Sequence, residues 1–154
     1  MSENININVN IPNGGYQGSN APVGQLKTNK GLLKTILLSI ITFGIYAIVV
    51  MCSVSNDINI TASRHDGKKT MNFFLCAILS PLGFGIPIII WYHRISNRMG
   101  GELRRRNIAY SFSATDFWLW GVLGSLICGL GAFVYMYKMF QACNKINAHY
   151  NVNG

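Results

Sequence analysis

Three long uncharged stretches, each containing glycine, constrain this chain more than any other feature. They cover residues 35–56, 70–93 and 117–137, which are 22, 24 and 21 residues without Asp, Glu, Lys or Arg. A helix of about 20 apolar residues crosses the hydrocarbon core of a bilayer, so each stretch is long enough to do so. A surface helix of a water-soluble domain would show polar residues at helical spacing, and these stretches nearly lack them. The pattern predicts an all-α integral membrane protein without β-sheet.

Charged residues lie between and beside these stretches. The chain has 13 Lys and Arg against 5 Asp and Glu, a formal net charge of +8. Basic residues at the ends of apolar helices are typical of cytoplasmic loops and of contact with anionic lipid headgroups. We therefore expect the protein to contact membrane lipids and not nucleic acid. We also expect it to lie in the cell membrane with its N-terminus on the cytoplasmic side. The side chains expected at the headgroups are those of Lys68, Lys69, Arg104, Arg105 and Arg106.

Residues 1–25 differ in composition from the rest of the chain. They are rich in Asn, Gly and Ser, and a segment of this kind cannot bury enough apolar surface to fold alone. We expect a disordered tail before a helical membrane domain of residues 26–151. Residues 5–11 alternate Ile or Val with Asn, which is typical of a strand. An alternative to disorder is therefore a strand that adds to the edge of a partner's sheet.

Glycine and proline are expected to break the apolar stretches. In a helix interior Gly costs about 1 kcal/mol and Pro about 3 kcal/mol relative to Ala. Pro87 would fit the first turn of a helix that begins near Ile86. The predicted breaks are Gly44, Pro81, Gly83, Gly85, Pro87, Gly129 and Gly131.

The stretches also suggest three repeated units, at about residues 32–66, 70–106 and 113–151. Setting Gly44 over Gly85 aligns Asn56 with Asn97, and the third unit fits with one extra residue between Gly131 and Asn144. Each unit is either one kinked transmembrane span or a hairpin of two helices. Hairpins are favoured because they put every basic flank on one face. Their short first half, residues 32–41, is only about 15 Å long and would need shelter among its neighbours.

Part of this pattern resembles a known family. The segment from Leu37 to Asn56, with Thr42-Phe43-Gly44-Ile45-Tyr46 at its centre, returns around Gly85 and is followed by Trp91-Tyr92. It is similar to the domain-of-unknown-function 4234 family of small bacterial multipass membrane proteins, over roughly residues 32–150. The second copy departs from the motif, with Gly83 in the Thr position and Pro87 in the Tyr position. The resemblance implies membrane residence and helical repeats but supplies no activity, and the zinc ribbon of some such proteins is missing.

The chain shows no constellation for chemistry. No carboxylate falls within an uncharged stretch, and neither the histidines nor the four cysteines have metal-ligand spacing. We expect no catalytic residue, no cofactor and no metal. Five asparagines fall near the polar ends of the units. They form either a functional polar face, which lines a vestibule or contacts a partner, or simply the polar ends of helices that leave the membrane. They are Asn56, Asn59, Asn97, Asn144 and Asn147.

Two functions remain open at this stage. The first is a non-enzymatic membrane protein that acts through contacts with lipids, other membrane proteins or further copies of itself. The second is an oligomeric pore or transporter component, because transporters use broken helices at their sites.

Overall fold

The computed structural model describes Pro22 and residues 24–154. Most of the expected disordered tail, including the alternating residues 5–11, lies outside the described residues. Within them the chain forms six helices and no strand, so the all-α prediction is confirmed for this part. The helices are α1 (Leu32–Ile41), α2 (Ile45–Asp66), α3 (Phe73–Leu79), α4 (Ile86–Arg105), α5 and α6 (Gly131–Asn153). Helix α5 is continuous but has three segments, α-helical Ala114–Asp116, π-helical Phe117–Leu123 and α-helical Gly124–Cys128.

Tight turns join α1 to α2, α3 to α4 and α5 to α6. Gly44 and Gly85 have φ of +89° and +81°, and the residue before each, Phe43 or Phe84, is also left-handed with φ near 50°. The Gly44 N–H donates to Ser39 O at 2.7 Å, and the Gly85 N–H donates to the carbonyl five residues earlier at 2.8 Å. Left-handed backbone favours glycine because it has no Cβ. The third turn uses Gly129 with φ +66°.

After each turn the chain packs back on itself. The ring of Phe73 on α3 lies 4.8 Å from that of Trp91 on α4, and Phe117 on α5 lies 5.5 Å from Tyr135 on α6, centroid to centroid. The described residues therefore form three helical hairpins, each with a short first helix or a broken one and a long second helix. They correspond to the hairpin architecture rather than to three kinked spans.

Not every predicted break is a turn residue. Pro87 occupies the first turn of α4, which begins at Ile86, as predicted. A Cβ on Gly83 would lie 2.9 Å from the Pro87 ring, so this glycine makes room for the proline. Gly131 is the first residue of α6, where a Cβ would lie 2.3 Å from the Gly124 backbone. Of the two glycines predicted to break the third unit, Gly129 forms the turn and Gly131 permits close helix packing.

The hydrophobic core lies where the three long helices meet. On α4 its residues recur every fourth position, which places them on one helix face. The largest fully buried apolar side chains are those of Val54, Ile58, Trp91, Ile95, Met99, Leu103, Met139, Phe140, Ile146 and Tyr150. All belong to α2, α4 and α6, and each lies at least six residues beyond the turn glycine of its hairpin.

The opposite end of the molecule has no core. Residues 36–49, 77–90 and 118–127, which we call the turn end, contain no buried residue. They nevertheless expose large apolar side chains, among them Phe43 at 97%, Phe84 at 95% and Leu82 at 81%. We call residues 24–35, 50–76, 91–117 and 135–154 the polar end. The fold thus joins a packed bundle to three uncovered apolar hairpin ends.

Among the described helices, α2 (Ile45–Asp66) has the length and composition needed to cross a membrane. Its 22 residues have a mean hydropathy of 1.4 over the most apolar window, and 44% of that window is buried inside the protein. Helix α1 and residues Ala114–Ile127 are apolar but shorter. A buried core helix of a water-soluble protein can meet the same criterion, so this gives only limited support for membrane association.

Candidate functional site

Asparagines of α6 hold the segment that precedes α1. Asn144 accepts from the Lys30 N–H at 3.0 Å and donates to the Lys30 carbonyl at 2.8 Å. Asn151 makes the same pair of bonds with Leu26, at 2.7 and 2.8 Å, and Asn147 donates to the Lys27 carbonyl at 2.9 Å. Residues three, four and seven apart share a helix face, so these amides form one ladder along α6. The ladder fixes residues 26–30 against the bundle.

A buried ion pair ties this segment to α2. Lys30 Nζ lies 2.5 Å from Asp57 Oδ2, and their side chains are only 6% and 9% exposed. Asn147 donates to the same carboxylate oxygen at 2.6 Å, and Cys143 Sγ lies 3.7 Å from it. A buried charge is tolerated only when it is paired and hydrogen-bonded, and here the carboxylate has both kinds of partner.

Asn59 and Arg98 organise the loop between α2 and α3. Asn59 accepts from the Thr70 N–H and donates to the Thr70 carbonyl, both at 2.8 Å, as Asn144 does with Lys30. Arg98 donates to Asp66 at 2.8 Å, to Asn59 at 2.7 Å, and to the Lys68 carbonyl at 2.8 Å. Burial opposes the charge of Asp66, but its bonds to Arg98 outweigh this and hold its pKa below the usual 3.8.

A second cluster closes the end of α4. Glu102 pairs with Arg105 at 2.8 Å and with Arg106 at 2.9 Å. Burial opposes the charge of Glu102, yet the two guanidinium groups keep its pKa below 4.5. Arg106 also donates to His149 Nδ1 at 3.0 Å and to the Thr61 carbonyl at 3.2 Å. Burial and the positive charges of Arg106 and Arg105 lower the pKa of His149 below 6.5.

The predicted polar face is therefore divided. Asn59, Asn144 and Asn147 hold backbone segments, and Asn147 is itself buried. Asn56 and Asn97 are exposed on α2 and α4. The five do not come together as the lining of one polar chamber. Their spacing along the chain predicted that they share one end of the molecule, but carried no signal of the backbone they bind.

The predicted headgroup residues divide in the same way. Lys68, Lys69, Arg104 and Arg105 are exposed at the polar end. Arg106 departs from the expectation because it is only 7% exposed and bonded inside the protein. Arg94, another of the basic residues that flank the apolar stretches, lines a surface cavity with Lys68 and Lys69. The spacing of the charges along the chain placed it at the polar end but carried no signal of this cavity.

No group of three or more His, Cys, Asp or Glu side chains in the described part of the chain is arranged to hold a metal ion. Of the cysteines whose side chains are described, Cys52, Cys76 and Cys143 are free thiols. The four described carboxylates, those of Asp57, Asp66, Glu102 and Asp116, are all engaged in ion pairs.

From Gly24 onward, fold and site together define an all-helical bundle of three glycine-turned hairpins, with an apolar turn end and a basic polar end. Residues 30–101 match the model of the family described as "Domain of unknown function (DUF4234)". The resemblance is thereby confirmed over the first hairpin and most of the second, a shorter range than the sequence suggested. No curated protein and no solved structure matches the chain.

Proposed function

We propose that this is a non-enzymatic membrane protein that acts through contacts with lipids, with its turn end in the hydrocarbon layer and its polar end among the headgroups. The observation that carries the proposal is the contrast between the two ends. The turn end has no buried residue, yet Phe43 and Phe84 stand almost fully exposed at two of its tips. Apolar patches larger than a few hundred Å² mark membrane or partner surfaces on soluble proteins. Acyl chains would cover this end without any further protein.

The depth of the uncharged surface fits one leaflet of a bilayer. The nearest charged residues to the turn glycines are Arg94 and Lys138, each nine positions away. Nine helical residues rise about 13 Å, which is close to half of a 30 Å hydrocarbon core. Helix α2 is longer, but its far half carries exposed Asn56 and Arg64, and we assign that half to the polar end. We therefore favour three hairpins that enter and leave by the same face over a multipass arrangement.

The polar end would then lie on one side of the membrane. It contains all the described basic residues together with residues 24–30, which are fixed to α6. Positive charge favours the cytoplasmic side of a cell membrane, bacterial by analogy with the family that the sequence resembles. This orientation keeps the N-terminal segment cytoplasmic.

Equal spacing supports the further proposal that the hairpins are repeats. Fifteen residues after its left-handed turn glycine, α2 has Asn59, α4 has Gly100 and α6 has Asn144. Both asparagines hold the segment leading into a short helix, and a Cβ on Gly100 would lie 2.6 Å from the Phe112 carbonyl in the segment before α5. Asn59 then corresponds to Asn144 rather than to Asn147. Each long helix thus contacts the segment before another hairpin, through an asparagine on α2 and α6 and through close approach at Gly100 on α4, so the three hairpins form a ring.

Depth measurement tests the proposal. Single cysteines would replace Phe84 in the turn end and Arg104 or Val152 in the polar end of a cysteine-free chain reconstituted in vesicles. We expect a fluorophore at position 84 to be quenched best by lipids labelled near the bilayer centre, and both polar-end sites to react with an impermeant thiol reagent on one side only. Reaction of position 84 from the opposite side would indicate a multipass protein. A chain that remained in solution beside the vesicles would refute membrane residence.

The oligomeric pore or transporter component has less support. Its candidate polar lining is occupied, because Asn59, Asn144 and Asn147 are bonded to backbone and Asp57 to Lys30. No observation in the described residues favours an open path through the bundle.

A further inference from the structure

The outer face of α4 changes from apolar to cationic within one turn. Ile86 and Ile90 are 57% and 49% exposed, and Arg94 and Asn97 follow them as exposed residues at helical spacing on the same face. Trp118 Nε1 on α5 donates to His93 Nδ1 at 3.2 Å at this level. Tryptophan is enriched where membrane meets water, so this pair marks the boundary between the turn end and the polar end.

A cavity of about 530 Å³ opens at this boundary. It lies between α4 and the loop before α3. No carboxylate lines it, although four cationic side chains do. Its lining residues are Lys68, Lys69, Thr70, His93, Arg94, Asn97 and Arg98.

The charge in this cavity is only partly balanced. Arg98 is paired with Asp66, which lies outside the lining. Lys68 is also attracted to Asp66, whereas Lys69 and Arg94 remain as excess positive charge beside an apolar surface. The positive charge of the cavity favours an anionic ligand. Because the cavity lies at the border of the apolar turn end, an anion with an attached hydrocarbon chain fits it best.

We propose that this cavity binds the phosphate group of an anionic glycerophospholipid, an inference that rests on the proposed membrane location. The Lys69 ammonium and the Arg94 guanidinium donate to the phosphate oxygens. His93 adds a third donor, because its Nδ1 accepts from Trp118 and the neutral ring then carries its hydrogen on Nε2. The acyl chains lie against the exposed side chains of Ile90 and Phe74.

The test compares lipid preference in two matched variants of the full chain. Lys69→Gln/Arg94→Gln removes two cations from the cavity and keeps side chains of similar length. Lys34→Gln/Lys145→Gln removes two exposed cations of the polar end outside it. Tryptophan quenching by brominated phosphatidic acid against brominated phosphatidylcholine gives the relative binding constant in vesicles, and circular dichroism checks that each variant is folded.

We expect the wild type to bind phosphatidic acid more tightly than phosphatidylcholine. In the cavity variant the ratio of the two binding constants should fall by a factor of at least about five, which corresponds to about 1 kcal/mol for a cation near an anionic surface. The control should retain most of the preference. Equal losses in both variants would show diffuse electrostatic attraction and overturn the site. Displacement of the brominated lipid by millimolar inorganic phosphate would overturn its assignment to a lipid. Failure of the wild type to associate with phosphatidylcholine vesicles would instead count against the membrane location on which the site depends.

Discussion

Removing one partner of the buried ion pair between Lys30 and Asp57 should destabilise the protein strongly. Asp57→Ala leaves the Lys30 ammonium, whose side chain is 6% exposed, without a carboxylate. Breaking a buried pair in this way costs about 3–5 kcal/mol, because a charge is left uncompensated in the interior. Lys30→Ala should cost somewhat less, since Asn147 still donates to the Asp57 carboxylate at 2.6 Å.

The double variant separates pairing from simple truncation. Lys30→Ala/Asp57→Ala leaves no stranded charge, so its loss should fall at least 2 kcal/mol short of the sum of the single losses. The matched control is the pair between Glu102 and Arg105, whose arginine side chain is 39% exposed. Arg105→Ala should change the free energy of unfolding by about 1 kcal/mol or less, because water screens an exposed pair.

The measurement is reversible unfolding of the purified full chain in bicelles, followed by circular dichroism. Hydrogen exchange of residues 26–30 provides a local readout, since Lys30 anchors this segment to α2. Additive single losses within about 0.5 kcal/mol, or an Asp57→Ala loss below about 1 kcal/mol, would refute the buried pair.

Three further predictions concern single residues of the polar end, and the first two include a control residue. Gly100→Ala should destabilise the protein by about 1–3 kcal/mol, because the new Cβ would lie 2.6 Å from a backbone carbonyl. Gly101 has open space around it, so Gly101→Ala should stabilise the helix by up to about 1 kcal/mol, and thermal unfolding distinguishes the two variants. Asn144→Ala loses two backbone bonds and should cost about 1–3 kcal/mol, while exposed Asn97→Ala should stay within about 0.5 kcal/mol in the same unfolding assay. Folding lowers the pKa of His149, so the unfolded chain takes up a proton at higher pH than the folded chain does. The free energy of unfolding should therefore fall as the pH drops from about 6.5 through the folded pKa. His149→Gln should reduce this pH dependence, measured by unfolding at about pH 7.5 and about pH 5.

The hairpin breaks could be predicted from the sequence because the penalties for Gly and Pro in a helix are local. Gly44 and Gly85 are turn residues, and Pro87 begins α4, as their conformational preferences require. At the third turn two glycines stand two residues apart, and the local penalty is the same for both. The choice between Gly129 and Gly131 depends on contact with Gly124, which is a tertiary feature.

The backbone contacts of the asparagines could not be predicted, because they join residues far apart in sequence. Asn144 and Lys30 are 114 positions apart, and a side-chain amide that pairs with backbone leaves no periodic pattern. Burial of Arg106 was hidden by its neighbours Arg104 and Arg105, which carry the same charge. Glu102, four positions earlier, was the available signal, since oppositely charged residues at this spacing meet on a helix.

The contrast between the two ends explains how three apolar hairpins can be positioned without a core of their own. The polar end supplies packed side chains, the buried pair of Lys30 with Asp57, and asparagines that hold the segments before α1 and α3. These contacts set the register of each hairpin before its turn is reached, so the tips need only tight glycine turns. Phe43 and Phe84 can then face outward in left-handed backbone, which costs about 1–2 kcal/mol per residue. At the membrane location proposed above, burial of each Phe side chain in hydrocarbon would return about 1.5–3 kcal/mol and so offset this strain.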